Sequence, residues 1–525
     1  MTWNINDKQA DESSKIRWEL TPYMLGRCLD LGCGPFKVFP HFTGVDNGHH
    51  WGTQGADVVV ETAEDLTIFA TQSHDLVYSS HLLEHIEYDR VPATLTEWVR
   101  VIKPGGYLVL YLPDEDEYPK VGEEGANKDH KWNVNYKRLI DAMEKVTRGW
   151  DLVDLQKRNQ DNEYSLFFAF KIEGHGHRFS YKKPKPAKTA AVVRYGAIGD
   201  ALIASSVFPA LKAEGYHITL YCQKGPGYEV LKHDPHVDRF IIQGKDNVPP
   251  LFLKEFWDYT KKKYDKWVNL CESMEGTLLA IPGRANHEWP NSTREKFMNR
   301  NYVEFVHEIA EVPPPYSQTF YSTPEEKKWA REIAGRWGKR NIVWSLSGSS
   351  GHKTWPYMDT IIARLMLAYK DVHVVLVGDG AAVLLEQGWQ KEPRVHCMSE
   401  KWDIRETLSF VQQADLIVGP ETGVLNAAGF MDTPKIITMS HSSPEMLTKH
   451  WKNVQPLIQP EGTGCKKSPC RQLHYTWEHC FQVNDKNDPA DGTALCQANI
   501  SPEMMWEAIQ SVFGKSEIIP IRRAA

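Results

Sequence analysis

Between Ala191 and Gly215 the chain reads AVVRYGAIGDALIASSVFPALKAEG, an order of residue types that leaves the backbone little choice. A β-branched apolar run, Ala191 to Val193, meets a turn carrying Gly196 and Gly199, and apolar residues then recur at helical spacing. The stretch reads as strand, tight turn and helix. The two glycines permit close backbone approach, and Asp200 lies where the helix begins, a place that suits either a capping carboxylate or an anionic ligand. On this stretch alone, capping is the commoner role for an aspartate.

At 525 residues with 41% hydrophobic content, the chain is long for one core and suits several domains. A net charge of −7 predicts no large basic surface, so nucleic acid binding would need a local patch. The first residues, MTWNINDKQADESSK, are polar and acidic, and no apolar run reaches the roughly 18 residues of a membrane span. The expectation is a cytoplasmic protein without a signal peptide, whose only membrane association would be peripheral, through a lipid-linked substrate.

From Arg27 the chain reads RCLDLGCGPFKVFPHFTGVDNG: a short strand entering a turn with Gly32 and Gly34, then a second strand ending at Asp46. A glycine turn after a first strand lets a nucleotide-like ligand approach the backbone, and an acidic residue ending the second strand suits ribose hydroxyls. Strands are expected at Ala56 to Val60, His74 to Ser79 and Gly106 to Leu112, with a helix at Asp89 to Val101. A helix near Val134 to Val146 and strands at Trp150 to Leu155 and Glu163 to Lys171 complete a doubly wound sheet closed by an antiparallel hairpin.

LDLGCG, GVD, ETAEDL, SSHLLEHI and EWVRVIKPGGYLVLYLPD follow one another in this region, and with them the sequence resembles the class I S-adenosylmethionine-dependent methyltransferases. The resemblance implies a Rossmann-like fold over residues 1–175 and S-adenosylmethionine as cofactor. It further implies a cofactor site drawn from Asp30, Gly32, Gly34, Asp46, Glu64, Asp65 and His81. Gly32 and Gly34 would face the methionine moiety, Asp46 the ribose, and Glu64 with Asp65 the adenine. One departure is that only nine residues separate Gly34 from Gly44, with Pro35 and Pro40 among them, too few for the usual linking helix. The fold is therefore a firmer expectation than the activity. His81, Glu84 and His85 also have H-x-x-E-H spacing, which on a helix would set both histidines on one face as zinc ligands. The methyltransferase context explains the same letters as a loop after a strand, and no metal is expected.

A basic, proline-containing stretch over residues 176–188 reads as a solvated linker. Two α/β units follow, 189–325 and 326–525. The first has strands at Ala191 to Val193, His217 to Cys222, Arg239 to Gln243 and Lys266 to Leu270, and ends with a helix at Phe297 to Val312. The second has strands at Asn341 to Leu346, Val372 to Val377, Val395 to Met398, Asp415 to Val418 and Lys435 to Met439. Two such units with a cleft between them describe the GT-B glycosyltransferase architecture.

Three separated motifs, RYGAIGDALIASSVFPALK, SGSSGHKTWP and ADLIVGPETGVLNAAGFMDTPKI, give this half a resemblance to glycosyltransferase family 9, the heptosyltransferases of lipopolysaccharide synthesis. That resemblance implies an inverting transfer of a heptose-like sugar from a nucleotide diphosphate donor to a carbohydrate acceptor, such as a lipopolysaccharide core or capsule precursor. Such a reaction needs a base for the acceptor hydroxyl and a cation or amides for the departing diphosphate. Asp200 is the candidate base and Lys353 the candidate cation. Ser345, Ser347, Gly348, Glu421, Thr422 and Gly423 are the expected donor-binding residues. The chain departs from the family pattern at Glu421, where aspartate is usual, and at Asn426, where histidine is usual, which leaves the sugar open. A modified nucleic acid base as acceptor, or a non-catalytic scaffold with two degenerate sites, are the competing readings.

Of nine cysteines, four lie near the C-terminus at Cys465, Cys470, Cys480 and Cys496, with C-x4-C-x9-C-x15-C spacing. Reduced thiols, structural zinc and disulfides all remain open for them, since the gaps lack paired C-x2-C knuckles.

Overall fold

The computed structural model describes residues 12–49, 54–160, 162–173, 188–244, 247–272, 299–338, 340–348, 351–470, 483–484 and 492–514, with isolated residues 290, 293, 296 and 490. The linker expected at 176–188, save its last residue, lies outside the described residues, as does Cys480. Two units emerge: Met1–Ala187 with Ile241–Pro249, and Lys188–Phe240 with Pro250–Ala525.

In the first unit seven strands form one sheet: β1 (Cys28–Leu31), β2 (Thr43–Asp46), β3 (Val58–Val59), β4 (His74–Ser80), β5 (Ile102–Pro113), β6 (Trp150–Arg158) and β7 (Ser165–Ile172). Their order is β3-β2-β1-β4-β5-β7-β6. Pairing is parallel from β3 through β5 and antiparallel at β5–β7 and β6–β7, the hairpin closure expected from the sequence. The Val91–Val101 helix buries Val91, Thr94, Leu95, Trp98, Val99 and Val101, the spacing of one helical face, and packs it among Leu29, Val77, Leu110 and Phe168. Trp98 is fully buried, and its indole N–H donates to the Ala63 carbonyl at 2.7 Å. That bond fastens the segment carrying Glu64 and Asp65 to the helix.

Two further sheets are built mainly from residues of the second unit. Strands β8 (Thr189–Val193), β9 (His217–Gln223), β10 (Arg239–Gln243) and β11 (Lys266–Asn269) lie in the order β10-β9-β8-β11. Strands β12 (Arg340–Ser345), β13 (Val372–Val377), β14 (Val395–Cys397), β15 (Leu416–Pro420), β16 (Lys435–Thr438) and β17 (Val454–Leu457) lie in the order β14-β13-β12-β15-β16-β17, parallel throughout. Continuous apolar runs such as Val374 to Val377 and Leu416 to Val418 are buried, as central parallel strands require. Ile361, Ile362 and Leu365 from the Met358–Ala368 helix, and Met505, Trp506 and Ile509 from the Pro502–Phe513 helix, share that core. The helix expected at Phe297 to Val312 spans Tyr302–Ala310; Phe297 itself lies outside the described residues. The edge strand β17 was missed because VQPL carries Pro456 and exposes Gln455, a composition tolerated only at an edge.

Candidate functional site

Asp200 sits on the Ile198–Ser205 helix, three residues inside its first turn. Its Oδ2 reaches back to accept from the Ala197 N–H at 2.8 Å. Its Oδ1 accepts from the Arg194 guanidinium at 2.6 Å, and Arg194 also donates to the Leu270 carbonyl at 3.0 Å. The carboxylate is buried, so both capping and charge pairing orient it. Gly196 is needed for this: its φ is 141°, and a Cβ there would stand 2.6 Å from Asp200 Oδ2. Beside the pair lies a cavity of about 10 Å³ lined by Arg194, Gly196, Gln223 and Tyr228, room for about one water.

The other two motifs meet at the ends of β12 and β15. Lys353, in the single turn Gly351–Lys353, is buried, and its ammonium donates to the Glu421 carbonyl at 3.1 Å. Its stem passes over Gly348, where a Cβ would lie 2.5 Å from Lys353 Cδ. Ser345 Oγ lies 3.2 Å from Thr422 Oγ1, and the Thr422 hydroxyl caps the Gly423–Ala428 helix by accepting from the Leu425 N–H at 3.4 Å. Ser347 turns aside to donate to Asp379 at 3.4 Å. The two glycine turns meet directly. A Cβ on Gly423 would fall 2.6 Å from Ile198 Cβ, and one on Gly199 would fall 3.1 Å from Asn426 Nδ2. Gly199 and Gly423 thus admit a neighbouring helix, where the sequence suggested room for a ligand.

The Glu421 side chain has its acceptors engaged. It accepts from Ser440 Oγ at 2.7 Å, the His441 N–H at 3.2 Å and the Ser442 N–H at 2.9 Å, and its Oε2 lies 2.5 Å from His441 Nδ1. Burial by itself would raise this carboxyl, but His441, Lys353 and Ser440 together hold it at about 2. Ser440, His441 and Ser442 were missed in the sequence, although a hydroxyl- and histidine-rich run directly after a strand is a legible signal.

In the first unit the expected cofactor residues gather at the C-terminal edge of the parallel strands, the customary ligand edge of such sheets. Gly32 and Gly34 have φ of 71° and 55°, and a Cβ on Gly32 would press against the Leu82 side chain at 3.0 Å. Asp46 Oδ2 accepts from the Gly34 N–H at 2.9 Å and Oδ1 from the Gly48 N–H at 2.7 Å, which leaves further lone pairs for hydroxyls. Asp30 is buried and accepts from the Val38 N–H at 2.8 Å, holding the glycine turn from below. Glu64 pairs with Arg90 at 3.0 Å, and Asp65 accepts from the Thr67 N–H at 2.8 Å. A turn with glycines at 32 and 34 beside an acidic strand end fits an adenosyl group.

His81 is not on a helix. It follows β4 with φ 47°, its N–H donates to the Tyr111 carbonyl at 2.8 Å, and the short turn Leu83–His85 comes after it. Its Nε2 lies 3.0 Å from Ser165 Oγ and its Nδ1 3.5 Å from Glu84 Oε1. The H-x-x-E-H spacing therefore does not set two histidines on one helical face. A residue from a distant loop joins this group instead: His130 Nε2 stands 3.7 Å from Glu84 Oε1, and the His130 and His85 rings lie edge to face at 4.9 Å. Burial pushes Glu84 up to about 8 and pushes His81 and His130 down to about 3 and about 4. All three favour their neutral forms.

Residues 29–110 match the family described as a methyltransferase domain. Among solved structures, the chain is similar to an E. coli ADP-heptose lipopolysaccharide heptosyltransferase II, at 14% identity and a TM-score of 0.44, covering 62% of this chain and 98% of that one. A glycosyl transferase family 9 protein from Veillonella parvula aligns at 14% identity and a TM-score of 0.44, covering 62% and 97%. A SAM-dependent methyltransferase from Methanosarcina mazei aligns at 18% identity and a TM-score of 0.23, covering 28% and 92%. No curated protein matches the sequence.

Proposed function

We propose that the chain is a transferase with two centres: a sugar transferase in the second unit and an S-adenosylmethionine-dependent methyltransferase in the first. The sugar-transfer reading is carried by one observation. Three stretches far apart in sequence, those of Asp200, Lys353 and Glu421 to Thr422, converge within one unit. A glycosyl donor with a nucleotide diphosphate leaving group makes use of each. Asp200 takes the proton from the acceptor hydroxyl as its oxygen bonds to the anomeric carbon. The bond from that carbon to the diphosphate breaks on the opposite face with inversion, and the Lys353 ammonium offsets the charge left on the diphosphate. Arg194, which donates to Oδ1 at 2.6 Å, holds the Asp200 carboxylate in place. A heptose-like sugar and a glycan acceptor are the substrates that the motif resemblance favours.

The match of residues 29–110 to a methyltransferase domain supports the second activity. Bound there, S-adenosylmethionine supplies an electrophilic methyl group. Gly32 and Gly34 would border its methionine end, Asp46 its ribose, and Glu64 with Asp65 its adenine.

The deciding experiment uses the full chain, titrated by calorimetry with nucleotide diphosphate sugars and with S-adenosylhomocysteine, and assayed for turnover with the donor that binds. Asp200→Asn keeps an acceptor for the Ala197 N–H and removes the base, so kcat should drop about 10²–10⁴-fold with donor affinity retained. Unchanged turnover would eliminate Asp200 as the base. Silence toward every donor and toward S-adenosylhomocysteine would favour a scaffold.

A further inference from the structure

We propose that Glu84, His85 and His130 form a binding site for one divalent transition-metal ion, zinc foremost, at the C-terminal end of β4. One ligand atom from each residue lies within 4.8 Å of the other two, the grouping in the described residues that gathers three metal-ligating side chains. Around an ion with bonds of about 2.0–2.1 Å, tetrahedral ligand atoms stand roughly 3.3 Å apart, so modest side-chain rotation closes the set. Two imidazoles and one carboxylate suit a borderline ion such as Zn²⁺ and leave a coordination position open.

The second observation is the state of Glu84. Its side chain is fully buried, and neither carboxylate oxygen has a hydrogen-bond partner among the described residues. The neighbouring His81 Nδ1 and His130 Nε2 stand 3.5 and 3.7 Å away. A buried carboxyl facing the His130 imidazole without a bond to it is costly, and an ion held by Glu84 and His130, with His85 as the third ligand, would satisfy the carboxyl.

The backbone around the group is stitched as a site would need. The Lys131 N–H donates to the Glu84 carbonyl at 2.8 Å, and the Trp132 indole N–H donates to the Leu83 carbonyl at 3.2 Å. These bonds hold the His130 loop against the Leu83–His85 turn. Tyr118 lies against His130 at 5.4 Å between ring centroids, and Tyr164 against His81 at 5.7 Å, so the walls are aromatic. His81, held by Ser165 at 3.0 Å, borders the ligands from outside.

The site is independent of the methyl-donor reading, since metal binding is measured without cofactor. The full chain is stripped with a chelator, then titrated with Zn²⁺ and Co²⁺ against a chromophoric competitor. One equivalent should be retained, and bound Co²⁺ should show visible bands without the near-ultraviolet band of a thiolate ligand. Glu84→Gln and His130→Ala should each weaken binding by more than about 100-fold, beyond the 10–100-fold typical of outer-shell changes. Cys465→Ser should leave it unchanged. His130→Ala alters a loop residue and serves if Glu84→Gln does not fold. No retained equivalent, a thiolate-type Co²⁺ spectrum, or wild-type affinity in His130→Ala would overturn the site.

Discussion

Glu84 and Glu421 are both carboxylic acids buried at the C-terminal ends of parallel strands, and their surroundings push them in opposite directions. Glu84 meets no hydrogen-bond donor among the described residues and is raised to about 8. Glu421 accepts from Ser440, His441 and Ser442 and is held at about 2. Burial is common to the two, so it cannot be what separates them. The surroundings decide: the His441 side chain, the nearby Lys353 charge and the Ser440 hydroxyl more than offset desolvation at Glu421, whereas burial prevails at Glu84, whose oxygens bond to no other described residue. One centre is knit closed, and the other holds a buried carboxyl with no hydrogen-bond partner among the described residues.

The largest expected effect breaks the knit centre. Glu421→Gln places an amide N–H₂ against donors and removes the buried carboxylate that Ser440, His441 and Ser442 surround, so the second unit should lose about 3–5 kcal/mol, read by calorimetric unfolding of the full chain. The sign of its pH dependence follows from the depressed carboxyl. Because Glu421 falls from 4.5 to about 2 on folding, its stabilisation is fully present above the unfolded value and vanishes as pH falls toward 2. The gap between wild type and variant should therefore narrow from about pH 5 downward. A gap that persists at pH 2 would mean that packing, and not charge, sets the contribution of Glu421.

Much of this contrast was invisible in the sequence, for identifiable reasons. The strands were legible because central parallel strands are continuous apolar runs, as at Val374 to Val377, and the hairpin closing the first sheet was legible from its position after the last helix. Pro456 hid β17. Glu421 was read as donor-binding from its place before a Thr-Gly pair; the Ser440 to Ser442 run that absorbs its carboxylate follows the next strand, and only the fold joins them. His85 was visible within its motif, whereas His130 comes from a polar loop without periodicity and is brought over by bonds from Lys131 and Trp132. Asp200 showed both of its sequence features, but Arg194 as its partner depends on the turn that Gly196 permits.

A second, smaller effect sharpens the picture of the knit centre. A Cβ on Gly423 would lie 2.6 Å from both Ile198 Cβ and Cγ2, atoms fixed by a helix backbone and a branched side chain. Gly423→Ala must therefore push two helices apart and should cost about 1–3 kcal/mol. Gly199→Ala meets only the tip of Asn426, at 3.1 Å, which can swing away. Thermal unfolding of the two variants should rank Gly423→Ala as the more damaging. The reverse order would mean that the helices meet elsewhere than at Ile198 and Gly423.

The smallest effect is expected at Glu84, and it is the sharpest check of the contrast. Glu84→Gln exchanges one planar group for another of nearly the same shape in a fully buried position. At Glu421 such an exchange takes an acceptor from three donors; at Glu84 no donor among the described residues is deprived, because neither oxygen is bonded. The new amide can donate toward the neutral imidazoles of His81 and His130, whose nitrogens lie 3.5 and 3.7 Å from the present oxygen. In chelator-treated protein the variant should thus stay within about 1 kcal/mol of wild type, on either side of it. A loss as large as that of Glu421→Gln would show that Glu84 has a partner that makes its carboxylate indispensable to the fold, and the two buried acids would then be alike after all.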